Sequence, residues 1–222
     1  MNYLLQVLLW VFPWSVRRKL LIWLYDYEIA PTAHIGKSII TAKKLVMKDF
    51  ASIGSFCMCK KIDLLQIGEH SSMGNYIYIN GFPTGLKDST YFNHVANRQC
   101  VLILGNHTDV TSLHYFDCTA GITIGDFSLI AGVGSTIMTH SVDVHECIQD
   151  AAPIKIGNYN FIGARSMVLK GVTTADRIVV SAMSLINRPL EESGGLYGGV
   201  PCKYLKDISD AKYFYRKQGT IY

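Results

Sequence analysis

The residues of this chain best suited to chemistry gather around one histidine. His140 stands in Thr139-His140-Ser141, opening a polar, acidic stretch that runs to Pro153. An imidazole exchanges its proton near neutral pH, so it can take the proton from a hydroxyl as that oxygen attacks a carbonyl. A base placed this way accelerates attack by typically ~10²–10⁴-fold. Asp143 follows three residues later, placed either to orient the imidazole or to stand solvated in the loop. Upstream, SLHYFDCT carries His114 and Asp117. The other histidines, His34, His70, His94 and His107, belong to no motif and are expected to be structural or exposed.

A repeat must position these groups. From residue 29 onward an aliphatic residue followed by a small one returns every six positions. The clearest pairs are Ile53-Gly54, Ile67-Gly68, Ile124-Gly125, Ile130-Ala131, Ile156-Gly157 and Ile162-Gly163. Weaker members, among them Ile29, Ile35, Met47, Cys59, Ile79, Val110, Phe116, Thr136, Val168 and Val180, fill the register. Each hexapeptide makes a short strand and a bend. Its aliphatic side chain points into a narrow triangular interior, and its small residue sits where bulk would collide. Three hexapeptides close a coil, and stacked coils pair as parallel strands about 4.8 Å apart. One coil cannot bury its interior alone, so many are needed.

The register also locates the exceptions. First strands fall at 29, 47, 67, 104, 124, 156 and 174, and the steps 47 to 67 and 104 to 124 span twenty residues rather than eighteen. Those extra residues follow third strands. So do the two long interruptions, near 81–100 and 138–153. All four irregularities therefore fall on one edge of the prism. The two long loops are two coils apart, with roots about 10 Å from each other, and together they are expected to wall one site. Asp117 lies on that edge, one coil below His140.

Taken with the run PIKIGNYNFIGARSMVLKGV after Pro153 and the ending Gly199-Val200-Pro201-Cys202-Lys203, the sequence resembles the hexapeptide-repeat acetyltransferases. That group includes the maltose, galactoside, and capsule or O-antigen O-acetyltransferases. The resemblance covers roughly residues 29 to 208, and it implies an all-β, left-handed parallel β-helix. It also implies acetyl transfer from acetyl-CoA to a saccharide hydroxyl in surface polysaccharide synthesis, with His140 as general base and backbone N–H groups holding the oxyanion. Asp117 would contact the acceptor or orient the site, and His114 and Asp143 would stand beside it. For the donor, the resemblance implies contacts at Ala164, Ala182, Asn187, Arg188, Lys203 and Lys206, and a homotrimer with sites between subunits. Two departures stand out. Val180-Ser181-Ala182-Met183 replaces a glycine-rich run, and Thr174-Ala175 replaces Ile-Gly. A methionine where glycine is common would narrow the donor groove. N-acetylation of an amino sugar would use the same base.

A different chemistry remains open. His140 and His145 form H-x₄-H, a spacing that the γ-class carbonic anhydrases use with an upstream histidine to bind zinc. The third ligand here would be His107 or His114, and neither lies two whole coils earlier. No metal is expected.

Bulk properties narrow the rest. The 222-residue chain is 49% hydrophobic and carries a formal charge of +4, with no basic stripe that would call for nucleic acid. Its six cysteines form no CxxC pair and read as reduced thiols of a cytosolic protein. Residues 3–12 and LLIWLY are apolar runs split by Pro13 and by Arg17, Arg18 and Lys19. Each is too short to span a bilayer, and no cleavage site follows. Residues 1–28 thus form a helical segment that caps the solenoid, lies peripherally on the inner face of a membrane through residues 3–25, or does both. The solenoid is expected over 29–208, with a short C-terminal helix in the tail 209–222.

Overall fold

The computed structural model describes residues 3–85, 91–219 and 221. Residues 86–90 of the first long loop lie outside this set. The chain winds into a three-faced parallel β-helix. The first face stacks Glu28–Ile29, Lys44–Met47, Leu64–Ile67, Val101–Leu104, Ile122–Ile124 and Ile154–Ile156. The second runs from His34–Ile35 up to Gly195–Gly198, where Lys203–Asp207 adds an antiparallel strand. The third carries Ile39–Thr41, Met58–Lys60, Tyr78–Asn80, Tyr115–Asp117, Thr136–Met138, Met167–Val168 and Leu185–Ile186.

The repeat explains the core. Ile35, Ile53, Met73, Val110, Ile130, Ile162 and Val180 form one buried column, and Cys59, Ile79, Phe116, Val168 and Ile186 belong to another. One register expectation is corrected. Ile137, not Thr136, points inward, paired with Phe116 below. The extra residue is Gly132, at φ +69° on the corner between the second and third faces. Glycine enters that left-handed region without steric cost, so the bulge leaves the strand above and below in register. All six cysteines are free, and five are buried.

Corners are held by side chains as well. Along the corner between the first and second faces, Phe50, His70, His107, Phe127 and Tyr159 adopt positive φ and stack ring on ring. Their centroids lie 4.6, 5.1, 4.7 and 4.8 Å apart. Just before these rings, Asp126 accepts from the amide of Asn106, Asn158 from that of Asp126, and Asp176 from that of Asn158, at 2.7–2.8 Å.

The N-terminal segment forms helices α1 (Tyr3–Leu8) and α2 (Trp14–Tyr25), joined by a 3-10 turn. They cover the open end of the first coil. The Gln6 amide exchanges two hydrogen bonds with the backbone of Ile40. Trp14 donates to the Ala33 carbonyl at 2.9 Å. Arg17 donates to the carbonyls of Ile35 and Gly36, and Arg18 to those of Ile29 and Ala30. The first coil has no lower neighbour, so these side chains supply donors to the carbonyls of Ile29, Ala33 and Ile35, which no coil below can pair. Arg17 and Arg18 are therefore capping groups. The short C-terminal helix is a single 3-10 turn, Lys212–Tyr215, and the tail straps back over the solenoid. Tyr213 donates to the Asn160 carbonyl at 2.9 Å, while Arg216 donates to the carbonyl of Phe127 and lies 3.9 Å over the Tyr213 ring.

Candidate active site

Both long excursions leave the edge between the third and first faces, after Tyr78–Asn80 and after Thr136–Met138. The second was expected as a loop. Instead it is an antiparallel hairpin in which His140–Asp143 pairs with Ile148–Ala151, His140 opposite Ala151 and Asp143 opposite Ile148. His140 is thus at the root of the hairpin, where it joins the solenoid, and Asp143 is near its tip.

Asp117, one rung below Met138, lies directly under that root. Its carboxylate is almost fully enclosed, with 2% of the residue exposed. Oδ2 accepts from the backbone N–H of Thr139 and of His140, each at 3.1 Å. Oδ1 accepts from the Thr119 hydroxyl at 2.6 Å and its N–H at 3.3 Å. His140 Nδ1 sits 2.5 Å from Oδ2. Burial alone would raise the Asp117 carboxyl, but hydrogen bonds from His140 and Thr119 outweigh it and hold the group below the usual carboxylate range. An ionised carboxylate only accepts, so Nδ1 must carry a hydrogen, and in the neutral imidazole Nε2 then holds the free lone pair. The His140 side chain is 30% exposed, enough for that nitrogen to meet a substrate.

The first loop closes over the imidazole from the other side. Phe82 and Phe92 present their rings edge-on to it, with centroids 5.7 and 6.0 Å away. Phe92 is buried together with Ala120 and Ala151. Arg98 ties this loop to the solenoid, donating to the carbonyls of Phe82 and Thr119 at 2.5 and 2.6 Å and covering the Phe92 ring. Asp150 of the hairpin pairs with Lys170 and lies 3.9 Å from His94. The two loops therefore meet around His140, as their shared edge predicted.

Three expectations change. Asp143 does not orient the imidazole. Its carboxylate accepts the amides of His145 and Glu146 at 2.9 and 3.2 Å and caps the hairpin turn. It is Asp117 that contacts the imidazole, with its oxygens occupied by donors of the chain itself. His114 is buried on the corner between the second and third faces, Nε2 2.9 Å from the Thr111 hydroxyl and Nδ1 accepting from the Ser135 amide at 3.1 Å. Burial pushes its proton affinity down. It is a neutral strut between coils. Zinc ligation fits poorly, because His114 has both nitrogens engaged, His140 Nδ1 faces Asp117, and His107 is stacked within the ring column. Among the described residues no group of three His, Cys, Asp or Glu side chains is placed to hold a metal.

The residues expected at the donor lie elsewhere in the same chain. Ala164 and Ala182 are on the corner between the second and third faces, stacked above Gly132. A Cβ on Gly132 would collide with that of Ala164, and one on Gly163 would approach the Ala182 amide to 2.5 Å. These small residues follow one another up that corner, with the bulged Gly132 below them. Met183, 66% exposed, projects beside the upper end of the corner. Arg188 and Lys203 line one open hollow of about 390 Å³ near the last coil. Asn187 is exposed one residue before, and Lys206 sits on the final antiparallel strand opposite Leu196. A groove of about 920 Å³ runs along the second face beside the C-terminal strap, and none of these residues lines it.

Sequence reasoning missed Phe82, Phe92, Thr119 and Gly132. Thr119 could have been found, since Asp-x-Thr is an Asx-turn pattern. The phenylalanines could not, because loop residues carry no register.

The fold is the left-handed parallel β-helix of the hexapeptide-repeat acetyltransferases. In sequence the chain resembles galactoside O-acetyltransferase of Escherichia coli strain K12, 34% identical over 106 residues, which are 45% of this chain and 51% of that protein. Over 84 residues it is 32% identical to YvoF of Bacillus subtilis, covering 38% and 46% of the two chains. The chain thus spans about half the length of the curated relatives it matches. Among solved structures it superposes on a hexapeptide-repeat acetyltransferase from Vibrio cholerae complexed with acetyl coenzyme A. The TM-score is 0.51 and the identity 26%, with 64% of this chain and 70% of that chain covered. The polysialic acid-specific acetyltransferase NeuO shares the fold, with a TM-score of 0.50, 16% identity, and 82% and 86% coverage. No protein-family model matches the chain.

Proposed function

We propose that this protein transfers the acetyl group of acetyl-CoA to a saccharide hydroxyl, the acceptor belonging to a surface polysaccharide or its precursor. The observation that carries this reading is the His140–Asp117 pair, whose geometry directs Nδ1–H to the carboxylate and makes Nε2 the basic nitrogen of the neutral ring, under two aromatic walls. Nε2 takes the hydroxyl proton as the sugar oxygen attacks the thioester carbonyl. Asp117 then faces the imidazolium so formed and lowers its cost. The tetrahedral intermediate collapses, the C–S bond breaks, and the proton on Nε2 passes to the departing coenzyme A thiolate. Phe82 and Phe92 exclude water and offer apolar surface to a sugar ring.

The donor corner supports assembly as a trimer. In one chain, Ala164 and Ala182 are separated from His140 by the whole width of the third face, roughly 15 Å for five residues of strand. The outward residues of that face include Ile39, Met58, Tyr78, Tyr115, Met167 and Leu185 alongside Thr41, Lys60, Asn80, Thr136 and Met138, with Tyr78 stacked on Tyr115 at 5.5 Å. Packing third faces around an axis buries this stripe and sets the small-residue corner of one subunit against the His140 edge of the next. Arg188 and Lys203 then lie within reach of coenzyme phosphates.

The test is turnover of acetyl-CoA with a panel of polysaccharide intermediates, followed by CoA release, in wild type and His140→Ala. A loss of about 10²-fold or more is expected in the variant. Near wild-type turnover in the variant would remove His140 from the mechanism. Amino-sugar acceptors in the same panel distinguish N- from O-acetylation.

A further inference from the structure

The helical cap has a second side. Its inner side chains, Gln6, Trp14, Arg17 and Arg18, are all bonded to the backbone of residues 29–40, so the opposite side faces away from the prism. That outer side is apolar to an unusual degree. Val11 and Trp23 are 80% and 79% exposed, and Leu8, Phe12 and Val16 are also exposed. On α2 the exposed positions Val16, Lys19 and Trp23 recur at helical spacing, so they form one stripe. No described helix is long and apolar enough to cross a membrane. Charge is segregated toward the same end. Residues 1–61 contain nine basic and three acidic side chains, whereas the rest of the chain contains twelve basic and fourteen acidic. Lys19, Lys37 and Lys48 are exposed there without an acidic partner among the described ion pairs.

We infer that the outer side of this cap docks on an anionic bilayer, Trp23, Val11 and Phe12 entering the head-group region and the lysines meeting lipid phosphates. Aromatic and aliphatic groups on one side with cations around them are the features that hold a short helix in the interface plane. Within the trimeric reading above, three caps share one end of the assembly and reach the surface together, which multiplies a weak attachment. His140 follows the fifth rung of the third face, four spacings above the first, so it stands about 19 Å above the first coil, with the cap below that. That height suits a saccharide whose far end is fixed in the membrane, and the inference deepens the proposed function by naming a membrane-tethered acceptor.

The test uses the full chain and vesicles of phosphatidylcholine with and without roughly one-third phosphatidylglycerol. Co-sedimentation is expected with the anionic vesicles only, and it should weaken as salt rises. The double variant Val11→Ser/Trp23→Ser should lose binding by about tenfold or more, and Lys19→Glu/Lys37→Glu should lose its anionic preference. Both should keep the wild-type melting temperature and oligomeric state. No binding to anionic vesicles at low salt would overturn the inference, as would full binding by the Val11/Trp23 variant. A lipid-independent association of two assemblies that this variant abolishes would also overturn it, since the cap would then cover a second copy. His140→Ala should bind vesicles like wild type, so a failure of acetyl transfer and a failure of docking are read separately.

Discussion

Replacing Asp117 by asparagine tests the central geometry. Three N–H groups converge on Oδ2, from Thr139, His140 and the His140 ring, and Thr119 supplies two more donors to Oδ1. An amide has one accepting oxygen, so either orientation of asparagine leaves at least one buried N–H without a partner. That costs about 1–3 kcal/mol, or about 2–10 °C of melting temperature for a chain this size. The catalytic effect is larger. Without the carboxylate, Nδ1–H is no longer enforced and the imidazolium formed in the reaction loses its counter-charge, so kcat should fall about 10²-fold or more. Nitrogen-15 NMR of the imidazole provides a readout independent of turnover, with Nδ1–H expected in wild type and a mixed or reversed tautomer in Asp117→Asn. The reasoning is refuted if the variant keeps wild-type kcat and instead raises the acceptor KM, because Asp117 would then be touching substrate. A wild-type Nε2–H tautomer at neutral pH would refute it as directly.

Other consequences can be measured on the same protein. Hydrogen bonds keep Asp117 below its unfolded pKa of about 3.9, so its contribution to stability is complete above that value and is lost as pH falls through the folded pKa. Thermal melts below pH 4 should therefore decline more steeply for wild type than for Asp117→Asn. Phe92→Ala empties a site only 3% exposed and should cost about 3–5 kcal/mol in a denaturant titration, with the acceptor KM rising as the aromatic wall opens. Gly132→Val places a branched side chain at φ +69° against Ala164, and it should raise the KM for acetyl-CoA while leaving the acceptor KM unchanged. Arg17→Ala leaves the carbonyl of Ile35 unpaired beneath the first coil and should cost about 1–3 kcal/mol, read as a lower melting temperature.

How much of this was legible follows from what periodicity can encode. A six-residue repeat fixes which side chains point inward, so Ile53, Met73, Val110 and Ile130 could be placed before any coordinates, as could the edge that carries the insertions. It fixes Asp117 beneath His140 for the same reason. One residue too many, Gly132, moved the inward position from Thr136 to Ile137, because a bulge is invisible to a pattern that tolerates weak members. The hairpin after Thr139 escaped notice because its alternation is short and polar. Asp143 was assigned by sequence distance, yet in a hairpin the residue three along from the root is close to the tip. Arg17 and Arg18 look like membrane-facing cations in sequence, and only the open end of the first coil shows that carbonyls hold them.

The ring column and the C-terminal strap affect how the molecule comes apart. Stacked repeats interact mainly with their neighbours, so a solenoid can fray one repeat at a time from either end. Here the Phe50, His70, His107, Phe127 and Tyr159 rings run continuously over five coils, and Arg216 fastens the chain's last residues to the middle of that run at Phe127. Peeling the final coil would first require unclasping a contact several coils below it. The upper half of the prism should consequently melt as one cooperative block, with hydrogen exchange in the last coil as slow as in the centre.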